Sequence, residues 1–181
     1  MKREIQVFDY ANEILAAVGH GILLTTKYKD KINTMTIGWG TLGIEWRKKI
    51  FTVFVRGNRF TQGLIEKSGE FTINVPYGDS FDKNIITYCG MHSGADTDKI
   101  KEMNLTIEAP QKISTPGIKE FPLTLECKVI YKQAQDKNAI KIDEASKKLF
   151  YPQEVNDPLQ AANKYFHTAY YGEIVSAYII E

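Results

Sequence analysis

Cysteine, histidine and unbalanced charge are scarce in this chain of 181 residues, which has two cysteines and three histidines. Two cysteines cannot build a disulfide framework. Cys89 and His92 form C-x-x-H, half of a zinc motif, but the sequence offers no matching second half, so we expect no metal site. The 23 basic residues are balanced by 22 acidic ones, which leaves no excess positive charge for nucleic acid.

Long apolar runs, repeats and low-complexity tracts are also missing. No run approaches the roughly 20 apolar residues that span a bilayer, and the N-terminal "MKREIQVFDYANEIL" has no signal-peptide core. We therefore expect one domain over residues 1–181, a cytoplasmic location and no membrane partner.

Short apolar segments with β-strand character are frequent. Residues 21–39 form two such runs joined by the polar turn "YKDK", which predicts a β-hairpin. Four more strands are predicted at 49–56, 70–75, 122–132 and 167–180. Cys127 falls on the apolar face of the strand predicted at 122–132. The short connections favour a mainly β, antiparallel sheet or barrel with peripheral helices.

Helix signals lie between these strands. Thr61 is a candidate N-cap for a helix that ends at Gly69. Asp79 or Ser80 is a candidate start for a helix that ends at Gly90, and Asp157-Pro158 carries a further helix-start signal.

The stretch "TIGWGTLG" places Gly38, Gly40 and Gly43 in the spacing G-x-G-x-x-G, which is typical of Rossmann dinucleotide sites. That fold needs a βαβ crossover of about 10–12 residues, and only a few residues separate Gly43 from the next strand near Ile50. The Rossmann interpretation is therefore excluded. Two alternatives stay open: a bulged turn that uses positive φ angles, or a ledge of exposed N–H groups against a flat ligand.

A cluster of anion-binding residue types follows the predicted strand 49–56. Arg56 and Arg59 directly precede Thr61 at the predicted helix start, and arginines, a hydroxyl and helix N–H groups all suit a phosphate. The alternative is two solvated arginines beside an ordinary helix. A glycine-rich ledge and a separate phosphate site would together suit a mononucleotide such as FMN.

Several other residues permit a functional and a structural interpretation. Cys89 is a candidate redox thiol or a buried apolar group, and His167 a candidate flavin contact or a structural histidine. Trp39 and Trp46 could stack on a ring or pack in the core. An aromatic set at the C-terminal end could form a dimer interface: Tyr165, Phe166, Tyr170, Tyr171 and Tyr178.

Five blocks of the sequence resemble the flavin reductase-like family with the FMN-binding split barrel, and within it the flavoredoxin-type branch. The blocks are "NTMTIGWGTLGIEW", "VRGNRFTQGLIEKSGEFTINV", "CGMHSGADTDKI", "FYP" and "HTAYYGEIVSAYI", in chain order. The resemblance implies a six-stranded antiparallel Greek-key split barrel that forms a homodimer, with FMN near the subunit interface.

The resemblance also implies site residues. The flavin ring would lie against Asn33, Met35 and Thr36, with the backbone of Gly38, Trp39, Gly40 and Thr41 nearby. The phosphate would be held by Arg56, Arg59 and Thr61. The residues expected to close over the flavin or its dinucleotide partner are His92, Ser93 and Lys99. Many relatives have Lys-Pro after the position of Trp46, where this chain has "RKKI", so contacts of residues 47–49 are not carried over.

The chemistry implied is that of a bound flavin, which requires no catalytic side chain, although His92, His167 and Cys89 are possible helpers. The leading hypothesis is an oxidoreductase that takes hydride from NADH or NADPH and passes electrons to a flavin, ferric or other small acceptor. The first alternative is a flavoredoxin-type electron carrier reduced by a redox protein. The second is a non-catalytic barrel that binds flavin or another ligand.

Overall fold

The computed structural model describes residues 1–78, 82–157 and 161–181, and β-strands dominate it. The strands are β1 (Lys2–Glu4), β2 (Ile22–Tyr28), β3 (Lys31–Ile37), β4 (Gly40–Glu45), β5 (Lys48–Arg56), β6 (Glu70–Val75), β7 (Ile107–Glu108), β8 (Gly117–Ile118), β9 (Leu123–Ala134) and β10 (His167–Ile180). Within the described ranges, eight strands form one sheet in the order β3-β2-β6-β9-β10-β5-β4, with β1 also paired to β10, and β7 pairs with β8. All of these pairings are antiparallel.

The predicted class, a mainly β antiparallel sheet with peripheral helices, is confirmed, although the predicted count of six strands is too low. The six predicted strands correspond to β2, β3, β5, β6, β9 and β10. Sequence analysis missed β4 because Gly40 and Gly43 are unusual strand residues. Strand β4 pairs over its whole length with β5. A two-residue turn connects the two strands, and its residues Trp46 and Arg47 have φ angles of 50° and 60°. Positive φ at both turn positions matches the right-handed twist of the hairpin strands.

Five helices surround the sheet in the described ranges: α1 (Ala11–His20), α2 (Phe60–Ser68), α3 (Lys83–Met91), α4 (Lys99–Glu102) and α5 (Glu144–Phe150). A short 3₁₀ helix (Val7–Tyr10) precedes α1. None of the helices in these ranges is long and apolar enough to cross a membrane.

The start of α2 differs from the prediction. Arg59 is the residue at the N-cap position, and its side chain makes no capping hydrogen bond. Thr61 lies inside the helix and its hydroxyl accepts a hydrogen bond from the Asn33 side chain, so the N-cap assignment of Thr61 is wrong. The predicted end is correct, because Gly69 adopts the left-handed conformation with φ 66°.

For α3, the side chain of Asp82 accepts a hydrogen bond from the Asn84 N–H at 2.8 Å and caps the helix, which continues to Met91, one residue beyond the predicted end at Gly90. Asp79 and Ser80, the predicted starting residues, lie outside the described residues. So does Pro158 of the other predicted helix start.

The main core is formed by apolar side chains from several strands of the large sheet and from α1. It contains Phe51 of β5, Phe71 of β6 and Cys127 of β9, all fully buried, and Ile14 of α1 packs against them. Cys127 is therefore a core strand residue, as its position in the alternating pattern predicted. This core holds β3 and β5 in place, and the ends of these two strands carry the candidate site.

Candidate functional site

A cleft of about 250 Å³ lies where β3 and β5 end. One wall is the end of β3 and the residues that connect it to β4, which include Thr36, Gly38 and Trp39. The opposite wall comes from the end of β5 and the turn before α2, with Arg56 and Arg59. The cleft thus brings together two blocks that sequence analysis singled out separately. The rest of the lining is Met35, Ile37, Phe54, Phe150, Asn163 and His167.

Positive charge concentrates at this cleft. Arg59 lies close enough to Arg56 and Lys99 that their charges interact, and burial lowers the pKa of each of the two arginines. Lys99 is only 3% exposed, and burial, followed by the charge of Arg59, lowers its pKa to about 8. None of the ion pairs within residues 1–78, 82–157 and 161–181 involves these three side chains. The cluster is therefore an uncompensated cationic site, which favours an anion.

Arg56 was predicted to hold a phosphate, and its hydrogen bonds in the structure go to backbone carbonyl groups. Its guanidinium donates hydrogen bonds to the carbonyl oxygens of Asn163 and Tyr165, both at 2.7 Å, and of Phe150 at 2.9 Å. It also lies over the ring of Tyr151. These contacts anchor the long connection between β9 and β10 to the end of β5. Arg56 thus contributes charge to the cleft while its donors serve the protein backbone.

Arg59 is less engaged. In the described part of the chain its guanidinium donates one hydrogen bond, to the Asn163 side-chain oxygen at 3.0 Å. Because a guanidinium carries five N–H donors, most of its capacity is available for a bidentate anion. Lys99 donates to the carbonyl oxygen of Cys89 at 3.2 Å and has two further N–H groups.

Asn33 and Thr61 are joined to each other beneath the cleft. The Asn33 side-chain amide donates to the Thr61 hydroxyl at 2.8 Å, and both residues are buried. Gly94 packs on the same asparagine so closely that a Cβ there would lie 1.9 Å from its side-chain oxygen. The turn that follows α3 is thereby held against β3.

The residues predicted to close over the flavin differ in whether they take part in the site. Ser93 is exposed, and its hydroxyl accepts from the Ala95 N–H at 3.2 Å. His92 is exposed and stacks on Tyr88, with ring centroids 3.9 Å apart. Neither residue lines the cleft. Only Lys99 of this block contributes to the cationic site.

The glycine-rich stretch is a strand connection. Gly38 lies between β3 and β4, Gly40 and Gly43 lie within β4, and none of the three has a positive φ. The positive φ angles that we expected of a bulged turn are therefore not adopted, although Gly38 does lie in a connection between two strands. Gly40 is required by packing instead, because a Cβ there would lie 2.9 Å from the ring of Phe51.

The ledge interpretation keeps a structural basis. Strand β4 ends the sheet order, so among the residues that the structure describes it is hydrogen-bonded to β5 on one side only. In an antiparallel pair, alternate residues direct their N–H groups away from the partner strand. Thr41, which is exposed, and its neighbours in β4 therefore leave backbone donors along an open edge. Thr36 donates its own hydroxyl to the carbonyl oxygen of Ile86 at 2.6 Å, which ties α3 to the cleft wall.

Aromatic side chains form the outer part of the cleft. Trp39 lies 4.6 Å from the ring of His167 and 5.3 Å from that of Phe150, measured between centroids. His167 is 7% exposed and its Nδ1 lies 3.3 Å from the Tyr151 hydroxyl. Burial, followed by the charges of Arg56 and Arg59, lowers the pKa of His167 to about 3. His167 is therefore neutral at physiological pH.

Trp46 does not reach the cleft. It is 55% exposed in the β4–β5 turn and packs edge-on against Tyr131, with centroids 6.0 Å apart. Tyr170 and Tyr178 are buried within the chain, so they cannot belong to the aromatic dimer surface that sequence analysis considered.

The surroundings of Cys89 do not favour redox chemistry at its thiol. Cys89 is buried in a small apolar cluster that also contains Ile85 and Leu105. Burial raises the pKa of its thiol to about 11, so the reactive thiolate is scarce. Nor do His, Cys, Asp and Glu side chains of the described ranges gather in any group of three or more that could hold a metal ion.

Four residues that line the cleft were not among the predicted site residues: Ile37, Phe54, Phe150 and Asn163. Ile37 and Phe150 lie in sequence blocks that carry the family resemblance. Asn163 comes from a polar segment without periodicity, and only the arginine contacts bring it to the site. Phe54 lies on β5 among residues that are buried on both faces, so its pattern did not distinguish it.

The sheet and cleft define a split-barrel protein with peripheral helices and a cationic pocket at the strand ends. The family model described as "Flavin reductase like domain" matches residues 17–181, and the chain belongs to this family.

The chain is also similar to solved structures and to curated proteins. The flavoredoxin of Methanosarcina acetivorans is 26% identical, with a TM-score of 0.61 over 89% of this chain and 68% of that one. The flavoredoxin of Desulfovibrio vulgaris (Miyazaki F) has a TM-score of 0.63 at 22% identity, over 89% and 69% of the two chains. An uncharacterised protein of Archaeoglobus fulgidus is 31% identical over 101 residues, which are 56% of this chain. The match spans only 55% of the length of that curated relative.

Proposed function

We propose that this protein binds FMN in the cleft and works as an NAD(P)H-dependent oxidoreductase. The observation that carries the proposal is the uncompensated cationic cluster of Arg56, Arg59 and Lys99 beside a cleft with a peptide-backbone wall. A mononucleotide has a dianionic phosphate for the first feature and a flat ring for the second.

The residues present fit this cofactor. Arg59 is a half-buried cation and Lys99 a buried one, both have unused donors, and they would bind the phosphate. The wall that includes Thr36 and Trp39, with the open edge of β4, would contact the ring. Asn33 and Thr61 would support the site from below through their shared hydrogen bond.

FMN supplies the redox chemistry when bound, because its ring accepts a hydride and passes on electrons. The protein has to hold the ring and leave one face open to a nicotinamide. Backbone N–H groups and the positive charge of Arg56 and Arg59 would stabilise negative charge on the ring side of the cleft. His167 would present a neutral imidazole there, so it does not add a competing positive charge.

The phosphate assignment is tested by comparing FMN with riboflavin, which lacks the phosphate. We expect Arg59→Ala to weaken FMN binding by about 10- to 100-fold, since a charge-assisted hydrogen bond contributes about 1.5–3 kcal/mol. Riboflavin affinity should change little. Fluorescence titration measures both, and Arg47→Ala in the β4–β5 turn is the matched control. An equal loss for both flavins would remove Arg59 from the phosphate site.

The reaction is tested by mixing FMN-loaded protein anaerobically with NADH and then with NADPH, while the flavin absorbance is followed. Rapid bleaching by either nucleotide supports the reductase. The similarity to the flavoredoxin of Methanosarcina acetivorans favours a second candidate, an electron carrier that a redox protein reduces. That candidate predicts tight FMN binding and bleaching by a reduced protein donor only. A non-catalytic barrel would bind flavin and show neither reaction.

We also propose a homodimer in the cytoplasm. Exposed apolar side chains next to the β4–β5 turn, Ile44 and Trp46, support an interface in this region. Light scattering of the purified protein should give twice the chain mass. A monomer at micromolar concentration would contradict the dimer without affecting the flavin site.

A further inference from the structure

A second cavity, of about 440 Å³, lies directly beside the cleft. The two share Trp39 and Phe150, which line both of them. The other side of the cavity is formed by the connection that follows β9, which contributes Ile140, Ile142 and Tyr151. Nothing in the site described above uses this space.

The lining is mainly apolar and aromatic. Ile142 and Phe150 are 39% and 37% exposed, and they leave apolar surface facing the cavity that a flat ring could cover. Concave apolar sites with few polar groups are the usual form of small-molecule pockets. Trp39 and Tyr151, which lie 6.5 Å apart between centroids, give the cavity two ring edges as well as the isoleucines.

The charge of the cavity selects against anions. Asp143 is its charged lining residue, and no lysine or arginine of the described ranges lines it. The Asp143 carboxylate accepts hydrogen bonds from the Ser146 hydroxyl at 2.6 Å and from its N–H at 2.9 Å. Hydrogen bonds to Ser146 lower the pKa of Asp143, so it is ionised at neutral pH. A phosphate, a sulfonate or a ferric carboxylate complex would meet this negative charge without a compensating cation.

A larger cavity of about 710 Å³ lies further along the same connection and is different in character. Its lining includes Lys137, Lys147 and Lys148 together with two glutamates, and it shares no residue with the cleft. It shares Ile140 and Tyr151 with the 440 Å³ cavity, but none of these lysines lines that cavity.

We propose that the 440 Å³ cavity binds a flat, uncharged aromatic molecule of the quinone type. As a binding site it stands on its own geometry, and as the electron-acceptor site it rests on the proposed function. In the second case the balanced reaction is quinone + NAD(P)H + H⁺ → hydroquinone + NAD(P)⁺. Two electrons pass from the nicotinamide to the quinone, and the second proton comes from solvent.

The test is calorimetric titration of FMN-free protein with naphthoquinone and with its sulfonate. We expect saturable binding of naphthoquinone, and affinity for the sulfonate up to about fivefold lower because of Asp143, whose exposed carboxylate is screened by solvent. Ile142→Glu should weaken naphthoquinone binding by about tenfold or more, since it places a charge against the ring. Ile130→Glu on β9 is the matched control, because Ile130 is 40% exposed and lies outside the cavity.

The outcomes separate this inference from the proposed function. No saturable binding of naphthoquinone, equal affinity for the sulfonate, or unchanged affinity in Ile142→Glu would each overturn it. FMN titration of the same variants is an independent readout, and we expect Ile142→Glu to keep the parent's FMN affinity. If FMN fails to bind any of the proteins while naphthoquinone binds, the flavin assignment is wrong and the cavity assignment stands.

Discussion

Lys99 illustrates at the scale of single residues how a binding site differs from a structural ion pair. A buried lysine normally has a carboxylate partner, because an unpaired buried charge is costly. Lys99 faces a backbone carbonyl and a neighbouring arginine instead. The lowered pKa of Lys99 reflects this cost. A bound phosphate would offset the cost and raise the pKa again. The sign of the effect follows from linkage.

The pH dependence of FMN binding tests this role of Lys99. Its pKa is about 8 in the free protein, and a bound phosphate would raise it, so binding takes up a proton above pH 8. We therefore expect FMN affinity to fall by up to about fivefold from pH 8 to pH 9, because the protonated fraction of Lys99 falls from about a half to about a tenth. Fluorescence titration at several pH values measures this. The affinity for riboflavin, and that of Lys99→Met for FMN, should be flat over the same range.

The same group makes an independent contribution to stability. Its pKa is lower in the folded protein than the ordinary value of 10.5, so the unfolded chain binds more protons between pH 8 and 10.5. The contribution of Lys99 to the free energy of unfolding therefore rises with pH in that window, in the absence of ligand. Stability curves of the parent and Lys99→Met in the absence of ligand measure this, and a difference between them that does not change from pH 8 to 10.5 would contradict the lowered pKa of Lys99.

At the scale of elements, the strands were predictable where side chains alternate and hidden where backbone pairing decides. Apolar or β-branched runs predicted six of the strands, namely β2, β3, β5, β6, β9 and β10. Strand β4 contains two glycines and is held by its pairing with β5 and by the packing of Gly40 on Phe51. Of the three glycines in the G-x-G-x-x-G spacing, only Gly40 is thus required by close packing in the sheet.

The candidate site was predictable to the same limited extent. Arg59 lines the cleft, and Lys99 lies close enough to Arg59 for their charges to interact, although it is not among the lining residues; their role toward a phosphate stays a prediction. The partners of Arg56 were not predictable, because its three acceptors are carbonyl groups about a hundred residues away along the chain. Backbone acceptors leave no trace in the side-chain pattern, so sequence analysis could not distinguish an anchoring arginine from a phosphate-binding one.

Arg56 should therefore control the β9–β10 connection more than the cofactor. In Arg56→Met we expect limited proteolysis at residues 136–157 and 161–166 to accelerate by about tenfold or more, because the anchoring hydrogen bonds are lost. The sites and rates are read by mass spectrometry. FMN affinity should fall less than in Arg59→Ala, and Arg47→Met should behave as the parent. Unchanged proteolysis with a full loss of FMN would assign Arg56 to the phosphate instead.

At the scale of the whole molecule, β10 joins the two sides of the sheet, since it pairs with β9, β5 and β1. Gly172 lies on it at a shift in register against β9, and the ring of Phe71 packs over the glycine. A Cβ at Gly172 would lie 2.4 Å from Phe71 Cζ and 2.8 Å from Cys127 Cβ. Both neighbours are fully buried, so neither can move aside without disturbing the core.

Gly172→Ala and Gly43→Ala make a matched pair that tests this packing against the glycine motif. The first should lower the free energy of unfolding by about 1–3 kcal/mol through overpacking, seen as a lower denaturant midpoint with unchanged m-value. Gly43 has no atom within 4 Å of an added Cβ, so its substitution should be neutral or stabilising by up to about 1 kcal/mol. Gly43→Ala should also keep the parent's FMN affinity. If Gly43→Ala abolished FMN binding while folding normally, the motif would contact the cofactor directly, and its place in the sheet would not be sufficient to explain it.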